Sequence, residues 1–290
     1  MQFWQSLAFT EPEQLIPTAR IAEEVGFEGV LLSDHLFFPG RLESRYPYAE
    51  DGRPGFDGAT PFPDPWATIS AMAAVTDRLR FATLVYILPL RHPLEVAKSV
   101  GTAAVLSGDR VVLGTGAGWI REEFETLGVP FETRGRRYDE AIDVLRKVWT
   151  GRPVEHRGEH FAFDTLQMSP APAKPVPLWV GGLSRPALRR AAQRGDGWIG
   201  SGQTPDEAAG FLEELARLRR EAGRADEPFD ALVPLTTPPE PDSLARLADR
   251  GLTGTVSYPF TYSVGAGSSL DQKRAYLEDF AENVIRPLAG

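Results

Sequence analysis

Gly29-Val-Leu-Leu-Ser-Asp-His35 is the stretch from which the fold can be read. Val30, Leu31 and Leu32 run apolar without interruption, the pattern of a strand covered on both faces. A helix lies just before it. Glu11 and Pro12 open that helix, Leu15, Ile16, Ala19, Ala22 and Val25 stripe one side, and Gly26 closes it. A first apolar run, 3–9, precedes the helix. Strand, helix, strand is therefore the plan of the first 35 residues.

The alternation continues to the end of the chain. Strand-like runs are expected at 79–88, 110–116, 178–181, 197–200, 229–235 and 254–258. Helical patterns lie between them at 64–76, 93–106, 134–149, 186–193, 205–221 and 243–250, and a last one covers 269–285. Asp64-Pro65 reads as an N-cap followed by proline in the first turn. In the 134–149 segment Tyr138, Ile142, Leu145 and Trp149 share one face. Eight strand-then-helix units in 290 residues predict a TIM (β/α)8 barrel, read as one domain over 1–290. A doubly wound open sheet rarely reaches eight regular units. Two excursions stand out: a long loop at 36–63 after the second strand, and an insertion near 152–175 with a β-hairpin at 154–163.

Composition narrows the chemistry. The chain has no cysteine, which excludes disulfides, thiolate nucleophiles and cysteine zinc sites. Its formal net charge is −9 and no Lys/Arg-rich run occurs, which disfavours nucleic acid. The opening Met-Gln-Phe-Trp lacks a signal-peptide pattern, and no apolar stretch is long enough for a membrane span. A soluble, cytoplasmic protein with a small-molecule substrate is expected.

A barrel of this kind places its site at the C-terminal strand ends. His35 is the sharpest candidate there, one of four histidines in the chain. Its imidazole could exchange a proton with a bound substrate or cofactor, and Asp34 adds a second polar group. A histidine that only packs at the rim is the bland alternative. Gly114, Gly116 and Gly118 alternate at a strand end, so something approaches the backbone closely there, either a ligand or a packed aromatic. Gly181, Gly182 and Ser184 precede a helix start and could form a phosphate cup, with Gly200-Ser201-Gly202 closing it; a plain serine cap would look the same. The 36–63 loop carries Phe37, Phe38, Tyr46, Tyr48, Phe56 and Phe62 and reads as a lid, a pocket wall or an oligomer contact. Phe37, Phe38 and Trp119 suggest an apolar substrate. Glu122 and Glu123 read as helix-start acids. No metal site is expected, since His156 and His160 lie in a hairpin where their spacing does not bring them together.

The order of these motifs resembles the bacterial luciferase-like superfamily. The resemblance rests on Val25-Gly-Phe-Glu-Gly-Val-Leu-Leu-Ser-Asp-His35, Leu88-Pro-Leu-Arg-His-Pro93 and the run from Leu106 through Gly-Thr-Gly-Ala-Gly-Trp119 to Phe124. Phe131–Glu140 and Ala191–Trp198 extend it. The Ser-Asp-His, Leu-Pro-Leu-Arg-His-Pro and Gly-Asp-Gly-Trp stretches resemble the branch that uses the deazaflavin coenzyme F-420 rather than FMN. The resemblance implies hydride transfer between the deazaflavin and an organic substrate, with His35 near both. It implies that Leu84–Val85, following Thr83, forms a non-prolyl cis bulge behind the ring. It further implies cofactor contacts from Asp34, Thr83, Leu84, Val85, Gly116, Ala117, Gly118, Gly181, Gly182, Ser184 and Ser201, and a homodimer. Deazaflavin-dependent sugar-phosphate dehydrogenases carry a tryptophan and a glutamate where this chain has Pro39 and Trp119, so sugar-phosphate oxidation is not expected. The alternatives are an FMN-dependent monooxygenase fed by a separate reductase, and a non-catalytic flavin-binding barrel.

Overall fold

Parallel strand pairs run in sequence order until the last meets the first. In the computed structural model, which describes residues 1–288, the strands are β1 (Gln2–Ser6), β2 (Gly29–Leu32), β3 (Arg80–Thr83), β4 (Val111–Gly116), β5 (Leu178–Gly181), β6 (Gly197–Ile199), β7 (Asp230–Val233) and β8 (Gly254–Ser257). Trp4 pairs with Gly29 across β1 and β2, and also with Val256 of β8, closing the ring. The eight principal helices are α1 (Pro12–Val25), α2 (Pro65–Ala73), α3 (Pro93–Ser107), α4 (Arg134–Val148), α5 (Arg185–Arg194), α6 (Pro205–Glu221), α7 (Pro241–Ala248) and α8 (Leu270–Phe280). The (β/α)8 barrel is thus present. No helix among the described residues is long and apolar enough to cross a membrane.

Each strand gives one side chain to a ring inside the barrel: Trp4, Leu31, Ala82, Val112, Trp179, Ile199, Leu232 and Val256. The two indoles meet edge to face, with centroids 5.2 Å apart. They fit because their strand neighbours are glycines. A Cβ on Gly29 would stand 2.3 Å from Trp4, and one on Gly197 2.3 Å from Trp179. Below the indoles, Trp4 Nε1 donates to Gln2 and Trp179 Nε1 donates to Asp230. That floor seals the N-terminal end, while the larger apolar core lies between the strands and the helices.

Local chemistry sets the element limits. Asp64 caps α2 by accepting from the Ala67 amide at 2.8 Å. Capping boxes start α6 (Thr204 with Glu207) and α8 (Ser269 with Gln272). The continuous strand expected at 79–88 is broken. Its first part is β3, the Leu84–Val85 bond is cis, and Tyr86–Ile87 then re-pairs with Thr115 and Gly116. The expected hairpin forms from Val154–Arg157 and Ala162–Leu166. Glu140 pins it, accepting from the His160 and Phe161 amides and pairing with His156 Nε2.

Candidate active site at the barrel mouth

His35 lies three residues beyond β2, at the C-terminal mouth, with its side chain 11% exposed. Its Nδ1 is 3.1 Å from Glu123 Oε2, and the other oxygen of Glu123 accepts from the Leu36 amide at 3.0 Å. Glu123 is wholly buried. It stands on a short helix, Arg121–Thr126, that the turn after β4 folds back over the mouth. The helix-start reading of Glu122 and Glu123 is therefore incomplete. Each carboxylate reaches outward: Glu123 to His35, and Glu122 to the amides of Glu43 and Ser44 and the Ser44 hydroxyl. Burial raises the Glu122 carboxyl, but the donors from Ser44 and Glu43 outweigh it and hold it at about 2.

Asp34 is engaged within the protein. Arg91 meets both of its oxygens, at 2.7 and 2.8 Å, and the Ile87 amide donates to it at 2.9 Å. Burial works against the Arg91 charge, but the Asp34 carboxylate more than offsets it and holds the guanidinium above its ordinary value. The pair braces the segment after the cis bond against the end of β2. Thr83 also turns inward, its hydroxyl donating to the Gly114 carbonyl at 2.5 Å.

The alternating glycines have a protein neighbour of their own. A Cβ on Gly114 would meet the Thr83 carbonyl at 1.8 Å, one on Gly116 Val85 at 2.6 Å, and one on Gly118 Ile87 at 2.7 Å. Glycines at 114, 116 and 118 thus face residues 83, 85 and 87 on the adjacent strand. Gly181 meets the other branch of Val85, at 2.4 Å. Val85 sits clamped between two glycines, with Leu84 packed on the interior ring and Ala117 against the outer core. Close approach was expected here; the nearest partner is the bulge itself.

At the proposed phosphate cup, Gly182 adopts φ +119°, open to glycine and strained for other residues. Ser184 is the N-cap of α5 and accepts from the Ala187 amide at 3.4 Å. The Ser201 amide donates to Gln203. The loop's Tyr48 reaches this side, its hydroxyl oxygen standing 3.6 Å from where a Cβ on Gly182 would lie. Burial pushes the Tyr46 hydroxyl up to about 12.

The loop between β2 and α2 lies across the mouth. Phe56, tilted, and Phe62, edge to face, pack with centroids 5.0 and 5.1 Å from the His35 ring, and Trp119 lies 6.1 Å from it. Tyr46 contacts Trp119 at 5.2 Å, and Phe38 contacts Phe56 at 5.9 Å. A space of about 130 Å³ remains beside His35, lined by residues that include Phe37, Phe38, Phe56 and Phe62. The structure thus brings His35, Trp119, Phe37 and Phe38 together. Among the described residues no cluster of His, Asp or Glu suits a metal ion.

Sequence reasoning missed Glu123 and Arg91, because each acts on a residue more than 50 positions away. Only the glycine register carried a usable signal, in its two-residue match to Thr83, Val85 and Ile87.

A family description, luciferase-like monooxygenase, matches residues 4–282. The chain belongs to this family. A Mycobacterium tuberculosis protein of uncharacterised function is 40% identical over 287 residues, covering 98% of this chain and 99% of that one. An F-420-dependent glucose-6-phosphate dehydrogenase of Nakamurella multipartita is 29% identical over 271 residues, covering 91% of this chain and 74% of that one. Among solved structures, a monooxygenase from Streptomyces bottropensis superposes with a TM-score of 0.77 at 18% identity, over 100% of both chains. That last likeness is one of fold. Among the named relatives, those of Nakamurella multipartita and Microbacterium testaceum are F-420-dependent glucose-6-phosphate dehydrogenases.

Proposed function

We propose that the chain is an oxidoreductase that moves hydride between coenzyme F-420 and a small, apolar organic substrate at the barrel mouth. The observation that carries this reading is His35, set in the mouth with Nδ1 held by Glu123 and Nε2 without a protein hydrogen-bond partner among the described residues. Nε2 takes the proton of a substrate hydroxyl when the substrate is oxidised and returns it when the substrate is reduced. The deazaflavin supplies the centre that accepts or gives the hydride. The F-420 dependence of the Nakamurella relative supports that choice of cofactor.

The donor set suits a phosphate-bearing planar group. The Arg185 amide at the start of α5 and the Ser184 and Ser201 hydroxyls are the donors on offer to an anion, since the Gly182 amide is taken by the Ile199 carbonyl and the Ala187 amide by Ser184. Val85, clamped between Gly116 and Gly181, offers an apolar surface to a flat ring. The 130 Å³ beside His35 is well below the roughly 300–1,000 Å³ of small-molecule sites, so seating a tricycle requires the 36–63 loop to withdraw. No Lys or Arg lines that space, and Asp57 does, which favours a neutral substrate over a sugar phosphate.

Titration of the purified protein with F-420 and with oxidised FMN, followed by fluorescence quenching, tests the reading. Micromolar or tighter binding of F-420 and weaker binding of FMN is expected. Tighter FMN binding overturns it in favour of a reductase-fed monooxygenase, and binding of neither overturns it in favour of a non-catalytic barrel. His35→Ala lowers turnover by more than about tenfold, the lower part of what a general acid or base contributes.

A further inference from the structure

Glu123 is a carboxylate in an unusual setting. It is wholly buried, yet among the described residues no Lys or Arg pairs with it; its bonds outside its own helix go to two consecutive residues, His35 and Leu36. The Leu36 amide is a fixed donor, so it claims one oxygen. The other faces His35 Nδ1 at 3.1 Å, and an ionised carboxylate can only accept. An Nδ1–H is the partner that such an acceptor requires. The remaining charged groups near the imidazole are Asp34 and its partner Arg91, which are bound to each other, and Asp57, which lines the same space and accepts from the Ala59 amide and the Thr60 hydroxyl. The rings of Phe56, Phe62 and Trp119 fill the other contacts.

We infer that Glu123 is a positioning residue that locks His35 in the Nδ1–H tautomer and leaves the Nε2 lone pair for the substrate proton. This rests on the proposed role of His35, but the hydrogen-bond argument holds without any cofactor. It also explains why the two oxygens grip adjacent residues. A bond to the imidazole alone would let the ring and the following backbone turn together, whereas a second bond to the Leu36 amide fixes the direction of approach.

Glutamine is the decisive substitution. Its side chain has one acceptor and one NH₂ donor. The Leu36 amide still requires the oxygen, since a buried N–H without an acceptor is costly. The NH₂ then faces Nδ1, which must become an acceptor, and the ring switches to Nε2–H.

Long-range ¹H–¹⁵N correlation spectra of the ¹⁵N-histidine-labelled full chain, recorded without cofactor at alkaline pH, read this directly. Four histidines give a sparse spectrum, and His35→Asn identifies the His35 signals by their loss. The wild-type protein is expected to show His35 as more than nine-tenths Nδ1–H, and Glu123→Gln to show a majority of Nε2–H. A wild-type Nε2–H tautomer overturns the inference even if Glu123→Gln fails to fold. An unchanged Nδ1–H tautomer in folded Glu123→Gln overturns it as well. The spectra use no cofactor, so failure of F-420 to bind refutes the proposed reaction and leaves this pairing standing, while a wrong tautomer refutes the pairing and Nε2 as proton acceptor and leaves F-420 binding standing.

Discussion

Gly181→Ala places a methyl where Val85 already stands. The new Cβ would lie 2.4 Å from Val85 Cγ1, and the matching change Gly116→Ala would put a Cβ 2.6 Å from Val85 Cγ2. Carbon atoms pack at about 3.5–4.0 Å, so each overlap is on the order of 1 Å. Val85 cannot relieve one overlap by rotation without pressing on the opposite strand, and a β-branched side chain has few rotamers to choose from. Overpacking of this kind costs about 1–3 kcal/mol per site. Truncating Val85 to Ala removes both clashing atoms. Its Cβ would remain 3.6 Å from the new methyl at 181 and 3.4 Å from that at 116. The Gly181→Ala penalty should then fall to about 0.5 kcal/mol or less, giving a coupling energy of about 0.5–3 kcal/mol between positions 85 and 181. Urea denaturation of the wild type, both single variants and the double variant measures it through the midpoints, provided the slopes agree. Additivity within about 0.5 kcal/mol would refute the claim that these glycines exist to admit the bulge.

Arg91→Met leaves Asp34 buried with the Ile87 amide as its remaining donor, and should cost about 3–5 kcal/mol. Calorimetry should show a fall in Tm of roughly 10 °C; a change within one or two degrees would count against the brace. Glu122 makes the anchoring of the loop depend on acidity. Its folded pKa lies below the ordinary 4.5, so this anchor is fully present above that value and weakens as pH falls toward about 2. Pepsin cleavage within 36–63 should therefore rise across that window. At neutral pH, Glu122→Gln should speed trypsin cleavage at Arg41 and Arg45, both exposed; equal rates in the two proteins would remove Glu122 from this role.

The barrel was legible because its signal is local. Val30-Leu-Leu and Val111-Val-Leu announce buried strands, and Asp64-Pro65 and Gly26 mark helix limits from a few neighbouring residues. His35 was legible for the same reason, as a titratable residue just past such a strand. What stayed hidden was pairing across the mouth. Glu123 looks like any acid in a first helical turn until the chain after β4 folds back over β2. Asp34 looks available until Arg91 arrives from beyond the cis bond. The glycines at 114, 116 and 118 were rightly tied to close approach, but the identity of the approaching group depends on how β3 and β4 align, which no single strand encodes.

The tryptophan floor has a consequence for traffic. With Trp4 and Trp179 filling the lumen, nothing can leave from below, so reactant and product share one doorway and must take turns. The rings of Phe56 and Phe62, packed against His35, stand at that doorway. Selectivity can be retuned at that doorway while the eight-stranded scaffold beneath is left untouched.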